Sequence, residues 1–267
     1  MTSGVTVSGF SGAVRDLAGA QKASAGAPGY SRFINRRIGR YLAAFSFVRG
    51  WTPNQVTVIS AAFTYLGIAA IAVFRPSWPL AVLVTFALVA GYAFDSADGQ
   101  LARLRGGGSR AGEWLDHIID CAKIAAIHLV VLISFYRFFD LRHHAVLLLP
   151  LAFEVVASTF FFGIVLTDQL RPKRRAGPTP VARPDRARDG LAKSLALLPN
   201  DYGIFCLLFL TLPLRNAFLW LYAALFALQA LYLLAALVRW YRELRSLDGA
   251  VAEPGRDATV LAASEAS

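Results

Sequence analysis

Residues 95–120 read DSADGQLARLRGGGSRAGEWLDHIID, and both ends of this stretch are embedded in apolar sequence. WPLAVLVTFALVAGYAF (78–94) precedes it and CAKIAAIHLVVLISFYRF (121–138) follows it. Each flank, continued into the stretch, is long enough for a helix to cross a hydrocarbon core of about 30 Å. Charge at membrane depth costs about 2.5–3.5 kcal/mol per group on insertion scales, so four aspartates placed there require a use.

The rest of the chain supports a membrane setting. Of 267 residues, 56% are hydrophobic and 16% charged, with mean hydropathy +0.50. A soluble helical core would carry more amphipathic helices and fewer uninterrupted apolar runs. The expected fold is an all-α integral membrane protein, with six transmembrane helices preceded by an interfacial amphipathic helix. The spans are expected near Asn54–Phe74, Leu80–Leu101, Gly112–Tyr136, Ala145–Leu166, Tyr202–Leu214 and Ala217–Trp240, the short fifth starting as early as Leu195. Before them, SRFINRRIGRYLAAF (31–45) carries Ile34, Ile38, Tyr41, Leu42 and Phe45 on one side, with Ser31 as N-cap. Arg32, Arg36, Arg37 and Arg40 fill the remainder, a pattern suited to an anionic headgroup layer.

Three segments divide the chain: a disordered leader over 1–29, a membrane domain over 30–245 and a disordered tail over 246–267. The leader is rich in Gly, Ala and Ser and lacks a compact apolar signal region. RPKRRAGPTPVARPDRARDG (171–190) reads as an irregular loop. Cys121 and Cys206 both lie in apolar runs and suggest neither a disulfide framework nor a zinc site. His143 and His144 read as a solvated loop pair.

The net charge of +10 does not imply nucleic acid. With a cytoplasmic N-terminus, every Lys and Arg except Arg75, Lys123, Arg137, Arg142 and Arg215 falls on the cytoplasmic side. The positive-inside rule favours that topology, with both termini and the aspartate stretch facing the cytoplasm at the cell membrane.

Spacing assigns the aspartates a role. Asp95 and Asp98 are three apart, Asp116 and Asp120 four apart, so each pair shares a helix face. A hairpin through the tri-glycine turn makes the two faces antiparallel neighbours. Four converging carboxylates repel unless a cation intervenes, and hard oxygen donors in that number suit Mg²⁺ or Mn²⁺, with room for two ions. Gly99, Ala102 and Gly112 strip bulk from the same faces, either for close helix packing or for a ligand. Arg103 stands at the cytoplasmic mouth, suited to phosphate.

In these positions the chain resembles the CDP-alcohol phosphotransferases, whose signature is D-x-x-D-G-x-x-A-R, eight residues, then G-x-x-x-D-x-x-x-D. It stands complete here in Asp95, Asp98, Gly99, Ala102, Arg103, Gly112, Asp116 and Asp120. The resemblance, with its interfacial helix and six spans, covers about residues 30–245. It implies transfer of a substituted phosphate from a CDP-alcohol, such as CDP-diacylglycerol, to an alcohol acceptor, with release of CMP, in phospholipid biosynthesis. It further implies that Asp95, Asp98, Asp116 and Asp120 ligate metal, Asp120 acting also as general base. Gly99, Arg103 and Ser109 match the family's nucleotide contacts. Thr52, Pro53, Asn54 and Gln55 are similar to its T-P-[ND] entry bordering the CDP site, although Thr-Pro-Asn is also a good helix start.

GGGSRAG (106–112) is similar to the corresponding run of phosphatidylinositol-phosphate synthase-like members, which favours inositol phosphate or glycerol phosphate as acceptor. Lys123 shares the face of Asp116 and Asp120, and either contacts an acceptor phosphate or balances the carboxylates. Glu113 and His117 point off that face by helical phase, and Glu154 lies in span four without an evident partner. Family members are often homodimers, and the sequence locates no interface. The rival class is a carboxylate-lined cation or proton transporter. It is disfavoured because the acids cluster at helix ends, no inverted repeat is visible, and the Gly, Ala and Arg companions have no role in ion transport.

Overall fold

The computed structural model describes residues 9–19, 29–141, 143–171 and 201–251. Among these the chain is all-helical. Helix α1 is Gly9–Gly19 and α2 runs through a π-turn at Ser31–Asn35 into Arg36–Val48. Helices α3 (Pro53–Val73), α4 (Trp78–Leu104) and α5 (Arg110–Phe138) follow. A 3₁₀ turn at His144–Leu147 leads into α6 (Leu148–Leu170). The short α7 (Tyr202–Leu208) tightens into a 3₁₀ turn at Phe209–Thr211, and α8 spans Arg215–Val251. Five of these helices are long and apolar enough to cross a membrane, and Tyr202–Thr211 is a shorter apolar helix.

The helix starts obey local chemistry. Thr52 caps α3 through a capping box: its hydroxyl accepts from the Gln55 backbone N–H at 3.3 Å, and Gln55 Oε1 accepts from the Thr52 N–H at 2.8 Å. Ser77 and Ser109 cap α4 and α5, and Asp201 caps α7. Ser31 is not an N-cap: the helix is already under way at Tyr30, and the Ser31 backbone N–H donates to Asp201 Oδ2 at 2.9 Å.

Small residues let α2, α3 and α4 approach closely. A Cβ on Gly91 of α4 would lie 2.1 Å from Thr64 Oγ1 of α3, and the Ser60 hydroxyl donates to the Gly91 carbonyl at 2.8 Å. Gly39 of α2 faces Ser96 at 2.7 Å in the same sense. Asn35 Nδ2 donates to the Tyr92 carbonyl at 3.1 Å, and Gln100 Nε2 donates to the Arg36 carbonyl at 3.2 Å. Helix α2 therefore buries Asn35, Gly39, Ala43, Ala44 and Ser46 against its neighbours and leaves Ile34, Ile38, Tyr41 and Phe45 exposed.

The main core joins α3 to α8 through Ile71, Val84, Leu88, Val131, Phe135, Phe153, Phe209, Phe218 and Tyr222. A smaller cluster holds Ala13 and Leu17 of α1 against Ala43, Ala44, Val56, Ala97 and Leu101. That cluster corrects the expectation of a disordered leader over 1–29. Gly9–Gly19 forms a helix whose apolar side is packed, because Ala13 and Leu17 fall one turn apart and find a partner in α2. Residues 246–251, placed by expectation in the tail, belong to α8, which continues to Val251. The start of the fifth span near Leu195 and the loop 171–190, beyond Arg171, lie outside the described residues.

Candidate active site

Helices α4 and α5 form the hairpin that the aspartate spacing requires, and its turn is a helix cap. The Gly107 N–H donates to the Ala102 carbonyl at 2.9 Å and the Gly106 N–H to the Arg103 carbonyl at 3.1 Å, the pair of bonds of a Schellman motif. Gly106 has φ +94° and Gly107 +129°, conformations that L side chains resist, while a Cβ on either would meet nothing within 4 Å. These two glycines are needed for backbone conformation.

Beneath this turn, Asp95, Asp116 and Asp120 each bring a carboxylate oxygen to within 4.8 Å of the others. All three are half-buried. The Lys123 ammonium bonds Asp95 Oδ1 at 2.8 Å and Asp120 Oδ1 at 2.6 Å, with its side chain 9% exposed. A cation already rests on two of the carboxylates, and the remaining donors are hard anionic oxygens, so the cluster fits Mg²⁺ or Mn²⁺. Asp98 is not one of these three but borders the same small cavity as Asp95 and Asp116. It is buried, and its Oδ2 accepts from the Thr57 hydroxyl at 2.7 Å.

Two adjoining cavities open on the cluster. The larger, roughly 630 Å³, is walled by Thr52, Pro53, Asn54 and Thr57 of α3, by Asp98, Gly99, Ala102 and Arg103 of α4, and by Ser109, Gly112 and Asp116 of α5. The smaller, roughly 220 Å³, lies between Arg36 of α2, Arg103, Asp95, Asp98 and Asp116. Asp98, Gly99, Arg103 and Asp116 thus border both. Gly112 is crowded here: a Cβ would come within 2.9 Å of Asn54 Oδ1, so the Asn54 side chain would have to shift. Arg103 has its Nε buried without a hydrogen-bond partner, which leaves a donor for an anion in the cavity.

Of the residues singled out from sequence, Thr52, Pro53, Asn54, Gly99, Arg103 and Ser109 border these cavities with Asp95, Asp98 and Asp116; Asp120 and Lys123 meet them at the cluster, and Gln55 lines neither cavity. Gln55 and Thr52 are engaged in the capping box, and Ser109 Oγ accepts from the Gly112 N–H at 3.0 Å. Glu113 and His117 correct the phase argument that turned them away: both line the larger cavity, because Glu113 is three residues before Asp116 and His117 three before Asp120, a spacing that shares the aspartate face. Glu154 lies elsewhere, its Oε1 accepting from Ser158 one turn on, with Oε2 buried and unpartnered. Sequence reasoning missed Thr57 and Arg36. Thr57 lies one turn after Pro53, to whose carbonyl its hydroxyl also donates at 3.1 Å, and nothing local in the sequence tied it to Asp98. For Arg36 no local signal separated it from the other arginines of α2.

The family model described as CDP-alcohol phosphatidyltransferase matches residues 50–225. Among curated proteins, the phosphatidylinositol phosphate synthase of Corynebacterium glutamicum is 39% identical over 71 residues. That match spans 26% of this chain and only 30% of the relative's length. Among solved structures, the chain is similar to a crystal structure of Mycobacterium tuberculosis phosphatidylinositol phosphate synthase with CDP-DAG bound, at TM-score 0.49 and 20% identity. This likeness covers 78% of this chain and 94% of that one.

Proposed function

The chain belongs to the CDP-alcohol phosphatidyltransferase family, and from that premise we propose that it transfers a phosphatidyl group from CDP-diacylglycerol to an alcohol acceptor, releasing CMP. The observation that carries this reading is the three-carboxylate cluster opening on a cavity large enough for a nucleotide, with a buried guanidinium donor on its wall. The favoured acceptors are inositol phosphate and glycerol phosphate. The tri-glycine run supports them, as does the short stretch of identity to the Corynebacterium synthase.

Asp95, Asp116 and Asp120, with Asp98 beside them, would hold Mg²⁺ or Mn²⁺. Such an ion, when bound, neutralises diphosphate charge that the protein could not otherwise tolerate among carboxylates. The Arg103 guanidinium donates to a phosphate oxygen of the donor. Gly99 and Gly112 keep Cβ atoms out of the cavity, and Asn54, with the capped start of α3, forms the wall against the cytidine. Asp120 takes the proton of the acceptor hydroxyl as its oxygen bonds the phosphatidyl phosphorus. The bond from that phosphorus to the bridging oxygen breaks, and CMP departs with the electron pair.

The same reading places the site and both termini on the cytoplasmic side of the cell membrane. Helix α2 then lies in the interface, its exposed Ile34, Ile38, Tyr41 and Phe45 toward lipid, and α7 completes a sixth crossing. A homodimer accords with the family. A carboxylate-lined transporter is less well supported, because apolar residues 78–94 of α4 end where the acids begin.

The test is release of CMP by purified full-length protein given CDP-diacylglycerol, Mg²⁺ or Mn²⁺, and a panel of acceptors. Turnover is expected with a phosphorylated polyol and is expected to fall at least about a hundredfold in Asp116→Asn, the scale of losing one transition-state charge contact. Absence of CMP release with every acceptor would remove the assignment.

A further inference from the structure

Helix α1 carries none of the signature residues, yet two of its side chains are fully buried, Ala13 at 0% exposure and Leu17 at 1%. They pack with Ala43 and Ala44 of α2 and with Ala97 and Leu101 of α4, so α1 lies across the seam between those two helices. The seam itself is built from small groups. A Cβ on Gly39 of α2 would come within 2.7 Å of Ser96 Oγ and 2.9 Å of Gln100 Nε2 on α4, and the Arg36 carbonyl accepts from Gln100 Nε2 at 3.2 Å. Small residues bury little apolar area apiece, so what covers such a seam helps to hold it. Leu17 is the largest buried side chain that α1 supplies. Its place bears on the site. By helical phase Ala97 and Leu101 lie on the opposite side of α4 from Gly99 and Arg103, and α2 brings Arg36 to the smaller cavity that Arg103 also lines.

Resting on the transferase reading, we propose that Leu17 is a positioning residue for the donor: α1 clamps α2 onto α4 and so fixes where Arg36 and Arg103 stand around the cavity. Leu17 touches no substrate and acts through the α2–α4 seam. Close-packed interiors pass a displacement on instead of absorbing it, so a gap left behind α4 shifts the wall in front of it. Because the Arg103 guanidinium serves the donor phosphate, loosening the clamp falls on donor affinity.

The experiment compares full-length Leu17→Ala, Leu17→Val and Leu17→Met with Ile71→Ala in detergent. Ile71 is as buried as Leu17 but belongs to the main core, so its truncation lowers stability without touching the clamp. Affinity for CDP-diacylglycerol is read by calorimetry with Mg²⁺ and no acceptor, donor KM by CMP release, and the hold on α2 by amide exchange over Arg36–Val48. Leu17→Ala is expected to weaken donor affinity and raise donor KM about tenfold, less than the hundredfold that a misplacement of about 1 Å can cost. Its kcat should change little, and exchange in α2 should quicken. Leu17→Val should move the same way by less, which keeps the test open if the alanine variant fails to fold. Leu17→Met conserves volume and is expected to resemble wild type. Ile71→Ala should melt lower with donor affinity unchanged. Wild-type donor affinity in Leu17→Ala and Leu17→Val, or an equal loss of it in Ile71→Ala, would overturn the inference alone. No CDP-diacylglycerol bound by the wild-type chain would overturn the transferase reading with it.

Discussion

Asp98 shows what a motif position means once it is placed. By spacing it is the partner of Asp95, yet its carboxylate is buried and bonded to Thr57, while the convergent group is Asp95, Asp116 and Asp120. Removing the Thr57 hydroxyl would leave a buried carboxylate short of a donor, which costs about 1–3 kcal/mol. Thr57→Val is therefore expected to lower the thermal midpoint in detergent and to reduce CMP release, whereas Thr57→Ser should keep most of both. Equal melting of the Val and Ser variants would show that the hydroxyl does not hold Asp98. At this scale the carboxylates, Gly112 and Arg103 were legible in sequence, because an i, i+3 or i, i+4 spacing on a helix fixes a shared face. Thr57 was not, since its partner is 41 residues away and the contact exists only once α3 packs on α4.

Whole elements were legible in proportion to how strongly hydropathy marks them. The long helices fall close to the apolar runs, because an uninterrupted run of about 20 apolar residues has few alternatives to a crossing helix. Helix α1 escaped notice because Gly, Ala and Ser dilute its pattern, and Ala13 and Leu17 gain meaning only from the surface they cover. The faces by which helices meet were half legible: small residues stood out, but not which required smallness. The structure ranks them. Gly91 has no room for a Cβ, with Thr64 Oγ1 at 2.1 Å, whereas Gly67 has Ala87 Cβ at 3.1 Å and can be accommodated by a small shift. Gly91→Ala is expected to destabilise by about 1–3 kcal/mol, the usual cost of overpacking, and Gly67→Ala by less. Melting curves of the two variants check the order. Gly106→Ala acts differently, through its φ of +94°, at a cost of about 1–2 kcal/mol that falls on the turn over the site.

At the scale of the molecule the open matter is which side of the membrane each end occupies, and α7 decides it. Tyr202–Thr211 rises only about 15 Å at 1.5 Å per residue, half of what a crossing needs. Its contacts nevertheless join the two ends of the bundle. Asp201 accepts from the Ser31 N–H, and Gly203 sits against the Tyr30 ring, at the level of α2. At its other end Phe209 packs on Phe218, which in turn meets Phe139 just past the end of α5. Arg215 therefore shares a cavity wall with Asp140 and Leu141, at the end of the bundle opposite the aspartates. If α7 and the turn after it complete a crossing, Arg215 faces outward together with Arg75 while Arg105 faces the cytoplasm. Single reporter cysteines test this in a Cys121→Ser background, since Cys206 is buried and Cys121 is exposed. In intact cells a membrane-impermeant maleimide is expected to label Arg75→Cys and Arg215→Cys, and to reach Arg105→Cys only after permeabilisation. Labelling of Arg215→Cys together with Arg105→Cys would mean that α7 turns back, placing the end of α8 outside and leaving its Arg239, Arg242 and Arg245 against the positive-inside rule.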